Sequence, residues 1–315
     1  MTRALVTGGT GFVGANLVRR LLQDGHEVHL LLRPDSQTWR IDEIIGRAHI
    51  HRLSDRRGVR GLLSNIAPQW VFHLAAHGAY PSQGDVDAML ETNVRFTIDL
   101  VEACVAAGCD AFVFAGSSSE YGFKDHAPAE DELPEPNSVY AVTKLCASMY
   151  CDYRARREAA NIKVLRLYSV FGPWEEPSRL LPRLIVEGFE GRLPPLANPN
   201  TVRDFVYVDD VCEAFLAATT RSQGPRVFNV GSGMQTTLRD AVEVVREILR
   251  FGAPAEWGAF PERAWDTSSW VADVRRIREH LGWTPRTAFA AGVERTVNWF
   301  RQRPDLLERY RMHRR

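Results

Sequence analysis

The stretch Val6-Thr7-Gly8-Gly9-Thr10-Gly11-Phe12-Val13-Gly14 decides how this chain is read. Ahead of it, Ala4-Leu5-Val6 is a short apolar run with the character of a buried strand. Behind it, Val13, Leu17, Val18, Leu21 and Leu22 recur at helical spacing. Glycines therefore sit where a strand turns into a helix, which is the geometry that holds a pyrophosphate. Gly8 permits the tight turn, Gly11 lets the backbone approach the phosphates, and Gly14 lets helix and strand pack closely. Thr10, Phe12 and Val13 complete this candidate cradle for a dinucleotide. The helix start adds unpaired N–H groups and a partial positive charge, both of which attract an anion.

The rest of the first half repeats the strand–helix alternation. Val28 to Leu32 forms the second strand and ends at Arg33. A weaker third strand lies near Ile50 to Leu53, and Val71-Phe72-His73-Leu74 forms the fourth, followed by Ala75 and Ala76. A helix is expected from about Val86 to Ala107, a strand over Ala111–Ala115 ending in Gly116-Ser117-Ser118-Ser119, a helix from about Tyr140 to Ala159, and a strand at Val164–Leu167. Such alternation predicts an α/β fold: a doubly wound parallel Rossmann sheet with its ligand crevice at the carboxyl ends of the strands. The second half changes character. Prolines and aromatics rise between Pro173 and Pro199; Phe205–Val208 and Val227–Val230 read as strands returning to the sheet. A helix is expected over about Thr237–Arg250 and a last one over about Phe289–Arg301. Between them, Trp257, Trp265 and Trp270 punctuate an irregular, packing stretch, and the basic tail Arg309–Arg315 reads as a frayed end. The expected division is a dinucleotide-binding domain over 1–173 plus about 201–232, with a smaller, mainly C-terminal substrate-binding lobe from about 174–200 and 233–315.

Composition limits the partners. The chain has 315 residues, 39 basic against 39 acidic groups and 45% apolar content. That length supports a full core, and the balanced charge points to neither nucleic acid nor a membrane surface. No run of 18 apolar residues is present, so no membrane span is expected. Met1-Thr2-Arg3 leads straight into the first strand, which predicts a cytoplasmic protein without a signal peptide. Five cysteines form no CxxC pair and read as buried free thiols. No His/Cys/carboxylate cluster shows metal-ligand spacing, so no metal site is expected.

Chemistry is suggested by Tyr140 and Lys144, four apart at the start of a helix and so on one face. A free tyrosine, with a pKa near 10, is a poor acid or base at neutral pH. A neighbouring ammonium would stabilise tyrosinate and lower that pKa, and the pair could then move a proton to or from an alcohol. Ser117, at the carboxyl end of its strand, stands where an active-site hydroxyl belongs. His73 and His77 flank the end of the fourth strand and read as buried or cofactor-lining; Tyr80, in the next loop, is a candidate sugar contact.

Taken together, these stretches strongly resemble the extended short-chain dehydrogenase/reductase family, whose members include nucleotide-sugar epimerases, 4,6-dehydratases and 4-ketoreductases. The resemblance rests on Thr7-Gly8-x-x-Gly11-x-x-Gly14, His73-Leu74-Ala75-Ala76, Asn93, Gly116 to Gly122, Tyr140-Ala-Val-Thr-Lys144 and Arg203 to Asp210, in the expected order over nearly the whole chain. It implies Tyr140 as acid/base on the sugar oxygen, Lys144 on the nicotinamide ribose and Ser117 on the same sugar oxygen. It also implies Leu53, Leu74, Ala75, Ala76 and Asn93 at the cofactor, Asn93 also supporting its helix and a relay water. Arg203 would meet the substrate diphosphate, with Ser118, Ser119, Ser169 and Tyr80 among the sugar contacts and Leu180–Leu196 covering the nucleotide. A homodimer through a four-helix interface, built from the helices near 86–107 and 140–159, is a further implication.

Departures from the family pattern bear on the exact activity. The residue nineteen positions past Gly14 is Arg33 rather than a carboxylate, which favours NADP while leaving NAD open. Arg52-Leu53 replaces the usual Asp-Leu at the adenine edge. Ser118 and Ser119 stand where 4,6-dehydratases carry an acidic pair, so a dehydratase is disfavoured. Gly-Ser-Ser-x-Glu-Tyr-Gly looks more like reductases of 4-keto-6-deoxy sugars, and Tyr168-Ser169 replaces Phe-Asn. The sequence thus points first to an NADPH-dependent 4-ketoreductase of a nucleoside-diphosphate sugar. An NAD-retaining 4-epimerase is the alternative. A dinucleotide-binding regulator without turnover is a third reading, opposed by the intact Ser117, Tyr140 and Lys144.

Overall fold

The computed structural model describes residues 1–80, 83–220, 224–259 and 269–313. The first half runs β1 (Arg3–Thr7), α1 (Phe12–Gln23), β2 (Glu27–Leu32), β3 (His49–Arg52), α2 (Val59–Ile66) and β4 (Trp70–His73). Next come α3 (Val86–Met89), a π-helical stretch Leu90–Arg95, α4 (Phe96–Ala107), β5 (Ala111–Ser117), α5 (Val139–Glu158) and β6 (Ile162–Leu167). The remainder contains β7 (Ser169–Phe171), α6 (Leu180–Gly188), β8 (Val202–Arg203), β9 (Phe205–Tyr207), α7 (Val208–Ala217), β10 (Val227–Val230) and β11 (Thr236–Thr237). Helices α8 (Leu238–Leu249), α9 (Arg275–Leu281), α10 (Phe289–Gln302) and α11 (Pro304–Met312) close the chain.

Seven strands form one parallel sheet in the order β10-β6-β5-β4-β1-β2-β3. The expected doubly wound Rossmann architecture is therefore present. Strand β5 is buried at all seven positions, as a strand covered on both faces must be. One apolar layer packs α1 and α7 on the sheet through residues such as Leu17, Val18 and Phe215; the opposite layer packs α2, α4 and α5 through Leu63, Val101 and Cys151. A third cluster joins α6, α8 and α10 to β7 and β9 through Leu184, Val242, Val297, Phe171 and Phe205. The strand order reverses between β1 and β4, and the carboxyl ends of these strands are where a sheet of this kind binds its ligand.

Several expectations need correction. Phe205–Tyr207 does not rejoin the main sheet; it pairs with Ser169–Phe171 in a separate two-stranded ribbon, and Val208 already begins a helix. A short apolar run says that a segment is buried but not which sheet it joins. The helix expected over 86–107 is present over those bounds, with a π-helical turn inside it that carries Asn93. The tail is not frayed as far as Met312: α11 is ordered, with Leu306 and Tyr310 buried. Trp265 and the last two arginines lie outside the described residues. Cys146 is exposed, whereas Cys104, Cys151 and Cys212 are buried. Glu27, His29 and His49 converge across β2 and β3, a grouping that the sequence spacing does not show. Side chains on neighbouring strands meet in space while lying some twenty residues apart in sequence, so linear spacing hides the grouping. No helix among the described residues is long and apolar enough to cross a membrane.

Candidate active site

The glycine turn is shaped as its sequence requires. Gly8 has φ +69° and a Cβ there would lie 2.5 Å from Ala75 N, in the backbone that follows β4. A Cβ on Gly14 would lie 2.1 Å from the Gly8 carbonyl oxygen, so helix and turn touch with no room for a side chain. Gly11 N–H donates to that same oxygen at 2.9 Å. Gly11 is the N-cap of α1, and no side chain caps the helix. The first N–H groups of a 12-residue helix thus face the crevice without a side-chain acceptor, as a pyrophosphate site needs. This cradle fits a dinucleotide.

A buried relay locks the cradle to the neighbouring strand. Ala75 N–H donates to Thr7 Oγ1 at 3.3 Å, and Thr7 Oγ1 lies 2.6 Å from His73 Nδ1. His73 Nε2 lies 2.8 Å from Thr97 Oγ1, which donates to the Asn93 carbonyl at 2.7 Å. Those partners assign the proton of His73 to Nε2. Burial drives the His73 pKa down to about 3, so the ring is a neutral spacer. The Asn93 side chain donates to His77 O and Thr143 Oγ1 and accepts from His77 N–H, at 2.8, 2.9 and 2.8 Å. Asn93 thereby ties the loop after β4 to the first turns of α5. Leu74, Ala75 and Ala76 flank this same loop start.

At the far end of the crevice, Arg33 follows β2. Its guanidinium is exposed and lies 3.5 Å from Asp35. Arg52 donates to the carbonyls of Arg33 and Pro34 at 3.1 and 3.2 Å, strapping the end of β2. Leu53 N–H donates to Leu32 O at 3.1 Å, which continues the edge pairing one residue past β3.

Ser117 ends β5 and begins a capping turn. Its hydroxyl accepts from Ser119 N–H at 3.2 Å, while Glu120 accepts from Ser117 N–H at 2.8 Å. Glu120 is fully buried, pairs with the buried Arg166 at 2.9 Å, and accepts from Ser148 Oγ at 2.9 Å. Neither member of this pair was singled out for the site by sequence reasoning. The Gly-Ser-Ser-x-Glu-Tyr-Gly run was the available signal, but its partner lies 46 residues away on β6. Tyr121 is similarly structural: its hydroxyl donates to Asn229 Oδ1 at 2.7 Å.

Tyr140 is half-buried on the first turn of α5, whose N-cap Ser138 accepts from Ala141 N–H at 3.2 Å. The Ser117 hydroxyl and Arg179 favour its ionisation, yet burial dominates and holds its pKa up at about 12. This corrects the expectation that Lys144 lowers it. The Lys144 ammonium is buried, donates to Ala115 O at 2.5 Å and sits 4.1 Å over the Phe114 ring. Burial brings the Lys144 pKa down to about 8. Arg179, which sequence reasoning missed, stacks 5.0 Å from the centre of the Tyr80 ring and donates to Ala79 O at 3.2 Å. Tyr80, Arg179, Ser117 and Tyr140 therefore form one group. Arg203 belongs to a second, 5.8 Å over Trp270, whose ring faces Tyr168. Ser118, Tyr168 and Trp270 line one small hollow. Ser169 begins β7, with its N–H donating to Asp204 O at 3.0 Å, and Ser119 is half-buried at the rim of the Ser117 turn.

Residues 4–231 match the NAD dependent epimerase/dehydratase family. The UDP-glucose 4-epimerase of Mycolicibacterium smegmatis is 31% identical, over 96% of this chain and 99% of its own length. The dTDP-glucose 4,6-dehydratase of Streptomyces griseus is 29% identical, over 95% and 94%. Among solved structures, MoeE5 in complex with UDP-glucose and NAD is 33% identical, with a TM-score of 0.81 over 95% of this chain and 99% of that one.

Proposed function

Because the chain belongs to the NAD-dependent epimerase/dehydratase family of extended short-chain dehydrogenase/reductase enzymes, we propose that it inverts C4 of a uridine-diphosphate hexose using retained NAD. The observation that carries this reading is the grouping of Ser117 and Tyr140 beside a dinucleotide cradle, in a chain similar over its full length to a 4-epimerase. The 4-ketoreductase reading drew on the Gly-Ser-Ser-x-Glu-Tyr-Gly pattern. Glu120 and Tyr121 are spent on Arg166 and Asn229, so that pattern speaks of packing rather than of the substrate. Arg33 by itself points towards NADP; Asp35 at 3.5 Å offsets part of its charge, and the family and the NAD-bound neighbour support NAD. A dehydratase is disfavoured because Ser118 and Ser119 are not acids and Glu120 is enclosed.

The proposed roles follow from chemistry. Oxidised nicotinamide, when bound, supplies a hydride acceptor and a positive charge. Tyr140 takes the proton from the C4 hydroxyl and returns it to the same oxygen after the sugar presents its other face. Ser117 holds that oxygen, and Lys144 binds the nicotinamide ribose. Ser118, Ser119, Ser169 and Tyr80 orient the hexose, Arg203 meets the diphosphate, and the segment Leu180–Leu196 helps cover the nucleotide. The direct test is to incubate the purified enzyme with UDP-glucose and no added dinucleotide, following the sugar by proton NMR. UDP-galactose should accumulate to equilibrium. Consumption of a 4-keto sugar only on addition of NADPH would support the reductase instead.

A homodimer is part of the proposal. Val139, Val142, Met149 and Tyr153 on α5 are 44 to 64% exposed and lie along one helical stripe. Val86 and Leu90 on the preceding helical segments are exposed too. A Met149→Glu variant should convert a dimer to a monomer in size-exclusion chromatography with light scattering. A monomeric parent protein, or an unchanged variant, would refute the interface.

A further inference from the structure

We infer that Glu27, His29 and His49 form a binding site for a divalent transition-metal ion of the zinc class, remote from the dinucleotide crevice. Glu27 and His29 are two apart on β2 and so share a face, and His49 is the register partner of His29 on β3. Glu27 Oε1 lies 3.0 Å from His29 Nε2 and 3.9 Å from His49 Nε2. All three ligand atoms lie within 4.8 Å of one another. A tetrahedral zinc ion with bonds of 2.0–2.2 Å sets its ligand atoms about 3.3 Å apart. A small rotation of the His49 ring, which is largely exposed, closes that difference.

The surroundings are those of a prepared ligand set. His29 is 8% exposed and its ring lies between those of His49 and His51, with centroids 4.7 and 5.1 Å away. His29 Nδ1 and His51 Nε2 are 2.9 Å apart. With a metal on Nε2, His29 carries its proton on Nδ1 and donates it to His51, the outer-shell bond that fixes a ligating imidazole. Arg3 engages Oε2 at 3.3 Å, so Oε1, which faces His29 Nε2, is the oxygen that a metal would take in place of that contact. Two imidazoles and one carboxylate leave a fourth position for water, and this donor set suits zinc or cobalt better than calcium or magnesium. Glu27 and His49 are the first residues of their strands, at the end of the sheet opposite the glycine cradle. A metal here would cross-link the edge strand β3 to β2 rather than take part in hydride transfer.

The test is titration of tag-free, chelator-treated enzyme with zinc chloride against a chromophoric chelator, with cobalt(II) as a spectroscopic probe. About one equivalent should bind, with cobalt giving the intense visible bands of a four-coordinate site. His49→Ala and Glu27→Gln should each weaken zinc binding at least tenfold. His126→Ala is the control, because His126 is another exposed histidine beside carboxylates, Asp125 and Glu132. Absence of an equivalent of zinc, wild-type affinity in His49→Ala, or an equal loss in His126→Ala would each overturn the assignment.

Discussion

A Tyr140→Phe enzyme should lose roughly 10²–10⁴-fold in turnover, the contribution typical of a positioned acid/base, while keeping its dinucleotide and its stability. The ring stays and only the hydroxyl goes, so packing at the start of α5 is preserved. The loss should fall on kcat, because in the proposed mechanism the phenol acts when the C4 proton moves and contributes little to holding the nucleotide. The structure explains why the group needs help. Burial holds its pKa at about 12, and Ser117 and Arg179 offset that only in part. With Lys144 turned to Ala115 O, further stabilisation of tyrosinate must come with the bound ligands. A Ser117→Ala change should therefore lower kcat less than Tyr140→Phe does. Full activity in Tyr140→Phe would remove Tyr140 from the chemistry altogether.

The largest effect on stability is expected at Arg166. Replacing it by methionine leaves Glu120, at 0% exposure, without its counter-ion. Breaking one partner of a buried pair costs about 3–5 kcal/mol, against a folding margin of roughly 5–15 kcal/mol. Glu120 would keep its bonds from Ser117 N–H and Ser148 Oγ, and this places the effect towards the lower end. Urea unfolding should show the loss as a shift in midpoint at unchanged slope. Adding Glu120→Gln to the Arg166→Met protein should recover part of it, because the buried charge is then gone. Since Glu120 also anchors the Ser117 turn, activity should fall with stability in the single variant. A change in stability below about 1 kcal/mol would mean that water reaches the pair.

The fold was readable because its signals are local. The strand–glycine–helix start and the apolar runs of β4 and β5 need only neighbouring residues to be interpreted. What failed was long-range. Phe205–Tyr207 was placed in the main sheet because its apolar run carries no mark of its partner, Ser169–Phe171. Arg166 lay in plain sight on a strand, yet its meaning depends on Glu120. The spacing of Tyr140 and Lys144 puts them on one face, but the ammonium reaches for a carbonyl on β5, and burial decides the phenol's pKa. The histidines of β2 and β3 form a group only through strand register.

In the proposed mechanism NAD stays on the enzyme and serves an internal oxidation and reduction at C4. The purified enzyme, never exposed to added dinucleotide, should be denatured and the released nucleotide identified by mass. About one NAD per chain is expected, as an internal redox cycle requires. An empty protein that binds NADPH more tightly than NADH would contradict the epimerase reading and restore Arg33 as the reader of a 2′-phosphate.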